Sequence, residues 1–540
     1  MHISRKYMIA VLFMVGMPLM AQKQKTSRID QSLTIYNDVM RQLDINYVDT
    51  LNYDDLTETA INAMLRKIDP YTVYYPKKKD DDLRMMTTGK YGGIGSIIQQ
   101  RETKNKRGEK EWQIIIANPY EGKPAQRNGV QAGDRILSVD GISTKGQTVS
   151  EVSNNLRGVP GSEVTLLLER DGVEKPFTVS FAREDIHIDP ITYYCTITAD
   201  TLPEAVGYIG FSEFTTNSAR EFAMVLDDLY YNQGVRALII DLRGNVGGIV
   251  DEAISIVNLF VDKGTEIVST KGKTQNSCRT YYTTSSARFP DLPLTILVDK
   301  NSASSSEILS GSLQDLQRAT LVGQRTFGKG LVQNVRPIAY DGHLKVTTSK
   351  YYLPSGRCIQ TIDYAERQRG KELRRDTAGG ILPDVVLSDS AKVDVCYSLY
   401  VKNMFFDYAT QYHRLHDSIA APDVFTLTDL DIEDFCQFLD EQGFTYETET
   451  GKYFRDVLEM ARHEDIDSTT LLALEALLPQ LQPSFREAIY RNLDEVKSFL
   501  GSEIVLRYYY QRGQAAYQLR FDDELKRALS ECKHLMAEKQ

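Results

Sequence analysis

Between Asn301 and Gln333 the chain places a run of small residues, Ser302-Ala303-Ser304-Ser305-Ser306-Glu307, upstream of a lone lysine in Phe327-Gly328-Lys329-Gly330. A serine hydroxyl becomes a nucleophile at neutral pH only beside a base, and a lysine is such a base only where burial has lowered its pKa. The flanks of Lys329 (Phe327, Gly328, Gly330, Leu331 and Val332) are apolar or small, the setting that desolvates an ammonium. Together these features predict hydrolysis of a peptide or amide bond by a Ser/Lys dyad. Any one serine in such a turn is equally an N-cap, so residue types alone do not choose among the four. A second chemistry falls away at Gly330: Gly323 to Gly330 has the outline of a phosphate-binding loop, but glycine stands where the magnesium-binding Ser or Thr belongs.

Two apolar runs are placed to carry these loops. Ala237-Leu238-Ile239-Ile240-Asp241-Leu242 and Leu294-Thr295-Ile296-Leu297-Val298 read as strands buried on both faces. The first enters Arg243-Gly244-Asn245-Val246-Gly247-Gly248 and then a helix with Val250, Ala253, Ile254 and Val257 at helical spacing. The second enters Asp299-Lys300-Asn301 and then a helix carrying Leu309, Leu313 and Leu316. Two strand-to-helix turns in one α/β sheet open at the same edge, where such folds place active sites. Ser304 falls where the second turn becomes helix, and the amide of Ser305 is a free donor of that helix N-terminus. Gly247 or Gly248 offers a second donor, since glycine lets the backbone approach a substrate closely. Two such donors form an oxyanion hole.

From Tyr91 to Arg183 the signals are short strands and turns. Tyr91-Gly92-Gly93-Ile94-Gly95 precedes a strand from Trp112 to Ala117, the run Gly129-Val130-Gln131-Ala132-Gly133-Asp134-Arg135-Ile136-Leu137-Ser138-Val139-Asp140-Gly141, a helix bearing Val149, Val152 and Leu156, and a strand from Glu163 to Glu169. These residues resemble a PDZ domain. In that setting Tyr91, Gly92, Gly93, Ile94 and Gly95 read as a cradle of backbone N–H groups for a peptide's terminal carboxylate, beside a strand edge that pairs with the peptide.

The remaining chain frames this chemistry. At 540 residues it exceeds one hydrophobic core, and 42% hydrophobic with 25% charged residues is ordinary globular composition. The net charge of −11 argues against a nucleic-acid partner. Arg5 and Lys6 precede an apolar run from Met8 to Met20 that closes on Ala21, which reads as a signal peptide too short to span a bilayer. Periplasmic or cell-envelope export follows. Six scattered cysteines lack metal-site spacing, so neither metal nor cofactor is expected. Amphipathic helices from Ile29 to Met86 predict a cap that packs on something else, with Asp69-Pro70 ending the second. Beyond Asp394 the pattern is helical and carries no catalytic motif.

Asp241-Leu242-Arg243-Gly244-Asn245-Val246-Gly247-Gly248, the serine cluster through Ile308, Val322 to Gln333, Tyr351-Tyr352-Leu353-Pro354-Ser355-Gly356-Arg357 and Gly380-Ile381-Leu382-Pro383-Asp384 occur in one order. Together they resemble the carboxyl-terminal processing peptidases, or tail-specific proteases, over roughly Ile29 to Leu387. The resemblance implies an N-terminal helical cap (27–86), a PDZ-like domain (87–188) and an α/β protease core of the ClpP and crotonase type (189–394); with the signal peptide (1–21) and the C-terminal all-α extension (395–540) read from their own patterns, the expected fold is α+β and multidomain. The resemblance places the nucleophile on Ser304, the serine 25 residues before Lys329, the general base on Lys329 and the residue orienting that lysine on Gln333. It also implies substrates with exposed C-termini and a PDZ domain that gates the active site, with Arg157 as a candidate coupling residue between domains. A homo-oligomer through the helical domains and an adaptor or envelope partner are compatible with it. The sequence departs from the family at Val246, where proline is common, in a charged insertion from Thr361 to Ala378, and in its long helical extension. The competing expectations are a silent PDZ-type scaffold and a Ser/Lys amidase acting on cell-wall peptides.

Overall fold

Ala237–Asp241 is buried at every residue, and its side chains alternate between two different cores. Leu238 and Ile240 face a cluster that includes Phe222, Ala253, Ile256, Ile308 and Leu313, from the helices Ser218–Asp227, Val250–Val257 and Ser305–Asp315. Ala237 and Ile239 face Leu525, Ala528, Cys532 and Met536 of the last helix, Asp523–Glu538. A strand covered on both faces needs no polar alternation, which is why it reads as one apolar run. The computed structural model describes residues 28–104, 110–199, 202–364, 379–388 and 395–538. The expected signal peptide, and most of the charged insertion, lie outside the described residues.

The strand belongs to a six-stranded sheet in the order Ile191–Ile197, Val206–Phe211, Ala237–Asp241, Leu294–Val298, Thr320–Gly323, Val385–Val386; the first pair is antiparallel and the others are parallel. A second sheet, which the sequence pattern did not separate from the first, carries the strand that follows Lys329. It pairs Val73–Tyr75, Gly342–Tyr352, Glu266–Gly272 and Arg279–Tyr282, and Leu331–Ile338 forms a hairpin with Gly342–Tyr352.

The PDZ domain has its own sheet, ordered Ser96–Lys104, Lys110–Pro119, Arg135–Val139, Glu163–Glu169, Phe177–Ala182, over a core that includes Ile114, Ile116, Val139, Val152 and Leu166. Its groove helix, Val149–Leu156, starts at a reciprocal Thr148/Glu151 capping box.

The C-terminal helices from Val395–Val401 to Leu493–Leu519 gather around a core of Phe405, Phe435, Leu439, Ile489, Leu500 and Ile504, while Asp523–Glu538 packs on the protease sheet. The first two of these helices, Val395–Val401 and Met404–Leu415, are separated at Asn403, which has φ 59°. The first described helix, residues 28–46, departs from the expected packed cap: Leu33 (57% exposed), Val39 (52%) and their neighbours stay open, and no described residue covers them. No described helix is long and apolar enough to cross a membrane, and all six cysteines are free thiols.

Candidate active site

The two strand-to-helix turns meet as the alternating pattern requires, and serine hydroxyls fasten them. Ser302 Oγ donates to the Leu242 carbonyl (2.8 Å), Ser305 Oγ to the Gly248 carbonyl (2.9 Å) and Ser306 Oγ to the Asn245 carbonyl (2.9 Å). Ser304 differs from all three: among the described residues its Oγ donates to no protein group, and it faces the Glu307 amide as in a capping box. Its backbone is at φ 58°, ψ −114°, a conformation that side chains rarely adopt and that persists only where surrounding bonds impose it. Those bonds are visible. The Ser304 amide donates to Glu307 Oε2 (2.9 Å), and its carbonyl accepts from the hydroxyl of buried Tyr351 (3.1 Å).

Glu307 was legible only as the end of the serine cluster, yet it organises the site. Its side chain is fully buried and accepts four hydrogen bonds: Ser304 N and Lys329 N on Oε2 (2.9 Å each), Gly328 N (2.8 Å) and Thr326 Oγ (2.5 Å) on Oε1. Burial pushes its carboxyl upward, and the four donors oppose that shift. Two donors on each oxygen match a carboxylate and leave no acceptor for an acid proton. One side chain thus holds the backbone of both the serine and the lysine.

Lys329 sits just ahead of the Leu331–Ile338 strand. A strand where a phosphate loop needs a helix N-terminus removes that reading on structural grounds as well. Burial lowers the lysine's pKa to about 8, helped by the neighbouring ammonium of Lys345 and opposed by Glu307 and Asp69. Its Nζ lies 4.7 Å from the ring centroid of Tyr71 and makes no hydrogen bond to Ser304 or Gln333. Tyr71 is held by the Asp69 carboxylate, which accepts from the amides of Tyr71 (2.8 Å) and Thr72 (2.7 Å) in the turn that ends the second helix. Gln333 Nε2 instead meets the Leu331 carbonyl and Thr347 Oγ, both at 3.3 Å.

The glycine pair separates into two roles. Gly247 (φ 100°) lies so close to the serine that a Cβ there would fall 2.7 Å from Ser304 Cβ and 2.9 Å from Ser305 N. Its amide is already taken by Asn245 Oδ1 (2.9 Å), whose Nδ2 donates to the Phe211 carbonyl (2.7 Å). The amides of Gly248 and Ser305 donate to no acceptor among the described residues. Val246, in the place where proline is common, is 63% exposed and leaves this geometry undisturbed.

In the PDZ domain a cavity of about 230 Å³ is lined by Tyr91, Gly93, Ile94, Ile98, Leu156 and Arg157, among others. The amides of Ile94 and Gly95 have no acceptor among the described residues. Gly92 does not line it and instead packs against the Gly158 carbonyl, where a Cβ would come within 2.0 Å. Arg157 turns toward the helix Asp80–Thr88, with Nη1 2.6 Å from Asp82 Oδ1 and its guanidinium 5.6 Å from the Tyr91 ring centroid. Met85 from that helix lines the same cavity.

A hydroxyl without an acceptor on a strained turn, unclaimed amides beside it and a desolvated lysine whose backbone shares the Glu307 anchor fit a serine peptidase carrying a peptide-binding module. Comparison with known proteins agrees. Residues 205–386 match peptidase family S41, 115–170 a PDZ domain, and 395–531 the C-terminal helical domain of a probable PDZ-protease. A carboxy-terminal-processing protease of Bartonella bacilliformis is 32% identical over 391 residues, covering 71% of this chain and 81% of that protein. A probable CtpA-like serine protease of Staphylococcus aureus is 32% identical over 354 residues, 65% and 67% of the two chains. Among solved structures, a photosystem II D1 C-terminal processing protease aligns over 66% of this chain and 87% of its own at 27% identity, with a TM-score of 0.38. The chain belongs to the carboxy-terminal-processing proteases of family S41. It is a serine protease with a PDZ domain, and its substrates are proteins or peptides.

Proposed function

We propose that this protein is an exported endopeptidase that captures exposed protein C-termini in its PDZ groove and cleaves them through an acyl-enzyme on Ser304. The observation that carries the reading is the contrast among the four clustered serines, of which Ser304 alone donates its hydroxyl to no protein group among the described residues. In the reaction neutral Lys329 takes the Ser304 proton as Oγ attacks the scissile carbonyl. The oxyanion is received by the amides of Ser305 and Gly248, and the lysine then protonates the leaving amine. Gly247, whose amide is engaged, serves by its lack of a side chain. Gln333 orients the lysine once the ammonium leaves Tyr71. In this reading the arrangement is a resting one, in which base and nucleophile are tied to Glu307 through their backbones and make no hydrogen bond to each other.

Peptide capture connects to that cleft through the helix Asp80–Thr88. Arg157 holds its Asp82, the Thr87 carbonyl accepts from Thr216 N (3.1 Å) of the protease core, and Met86 Sδ lies 3.5 Å from Lys345 Nζ, the ammonium that depresses Lys329. A peptide that displaces Met85 from the groove acts on this helix and, through it, on the lysine. Export rests on Arg5, Lys6 and the Met8–Met20 run. The exposed stripe on residues 28–46 supports a homo-oligomer through a helical domain, and an adaptor or envelope partner remains part of the proposal. Proteomics of C-terminal peptides tests the assignment: cells carrying Ser304→Ala accumulate uncleaved substrates, and an unchanged C-terminal peptide set contradicts it.

A further inference from the structure

The oxyanion loop is anchored from outside the protease core. Arg243, the second residue past the central strand, points its guanidinium into three carboxylates, of which only Asp241 belongs to the core. Its Nε lies 3.0 Å from Asp241 Oδ1, its Nη2 2.5 Å from Asp522 Oδ2, and its Nη1 3.2 Å from Asp522 Oδ1 and 2.8 Å from Glu524 Oε2. The Arg243 side chain is 22% exposed and those of Asp241 and Asp522 are 9% and 16% exposed, so these are desolvated, bidentate pairs in which geometry counts more than in surface pairs. Asp241 is fixed in turn by the hydroxyl of Tyr208 (2.8 Å).

From Arg243 the restraint passes along a short, fully bonded chain. The Gly244 amide donates to Asp299 Oδ1 (3.0 Å), which also accepts from Ser302 N (2.9 Å). The Asn245 carbonyl accepts from Ala303 N (3.0 Å) and Ser306 Oγ, and Asn245 Oδ1 holds Gly247 N, one residue before the unclaimed Gly248 amide. We infer that the C-terminal helical domain is a positioning element of the active site: Asp522 and Glu524 clamp Arg243 and so hold the Gly244–Gly248 loop where its amide meets the oxyanion.

The docking of the last helix does not depend on these two charges, because Leu525, Ala528, Cys532 and Met536 seat it on Val206, Ile239, Leu297 and Val322. Clamping and docking are therefore separable. Asp522 also caps the helix, accepting from Leu525 N (2.9 Å), a role asparagine keeps.

The test is the full-length double variant Asp522→Asn, Glu524→Gln, with Arg243→Lys as a second variant that keeps the charge and loses the fork. The inference rests on Ser304 as nucleophile, so the loop is read in two ways: turnover of a C-terminally tailed peptide, and amide hydrogen exchange across 243–248. Expected in both variants is faster exchange in that loop, unchanged exchange in 523–538, and a fall in kcat of roughly ten- to a hundredfold with KM unchanged. A parent without turnover on the tailed peptide would refute the proposed endopeptidase function and leave the clamp to the exchange data, whereas loosened exchange with unchanged kcat would overturn the positioning role. Unchanged loop exchange, or equal loosening of 523–538, would overturn the clamp.

Discussion

Lys329 Nζ rests 4.7 Å from the centre of the Tyr71 ring and makes no hydrogen bond to the serine it is proposed to deprotonate. The aromatic face favours the ammonium, by about 0.5–2 kcal/mol depending on desolvation, and so works against the burial that makes the amine a base. Replacing Tyr71 by Leu therefore lowers the kinetic pKa of kcat/KM by roughly 0.4 to 1.5 units, since one unit corresponds to about 1.4 kcal/mol. Tyr71→Phe keeps the face and leaves the profile near that of the parent. An unchanged profile in Tyr71→Leu would show that the ring does not influence the base.

The parent profile carries its own prediction. With Lys329 at about 8, kcat/KM rises through that pH and levels above it, and at pH 6 the neutral fraction is about one-hundredth of the plateau value. Stability follows the same group with a defined sign. Its folded pKa lies below the unfolded value, so the cost of the buried ammonium is fully present below pH 8 and is relieved as pH climbs toward the unfolded lysine value. Lys329→Met thus raises the melting temperature at pH 7 while abolishing turnover, and a lowered melting temperature would contradict the desolvation account.

Glu307→Gln keeps the volume and replaces one acceptor oxygen by a donor, leaving at least two of four buried donors unmatched. The expected cost is about 2–4 kcal/mol in unfolding free energy, with a loss of kcat on the order of a hundredfold because the serine and lysine backbones lose their shared anchor. Chemical denaturation and steady-state kinetics on the same variant measure both. Full activity would mean that the Ser304 turn holds its strained geometry without the carboxylate.

Arg157→Ala removes the link between the PDZ groove helix and Asp82. The predicted result is a several-fold change in cleavage of a tailed substrate, while a short untailed peptide is cleaved as before. Equal rates on the tailed substrate in parent and variant would end the coupling role.

How far the sequence foretold this arrangement depends on the range of each interaction. Ala237–Leu242 and Leu294–Val298 carried their burial in their own composition, and the PDZ strands and the Val149–Leu156 helix carried theirs in local periodicity. Lys329 announced its desolvation through apolar neighbours. Tyr71 gave no such signal, because its place over the lysine comes from an Asx-type turn at Asp69 and from a sheet that pairs Val73–Tyr75 with the distant Gly342–Tyr352. Pairings of that separation leave no pattern in either segment. Glu307 did leave one: a carboxylate at the third position of a helix that is otherwise small or apolar, Ser305-Ser306-Glu307-Ile308-Leu309, suits a buried acceptor at a helix start. Asp522 and Glu524 sit in an ordinary acidic first turn, and only the tertiary fold brings them to Arg243. The exposed face of residues 28–46 shows the converse, a helical period without a described partner.

Whether Ser304 is the nucleophile is decided by a casein-type cleavage assay on purified parent and Ser304→Ala, with Ser305→Ala as the neighbouring control. Expected is proteolysis by the parent, retained proteolysis in Ser305→Ala, whose contribution is its backbone amide, and none above background in Ser304→Ala. Equal cleavage by parent and Ser304→Ala would contradict that assignment.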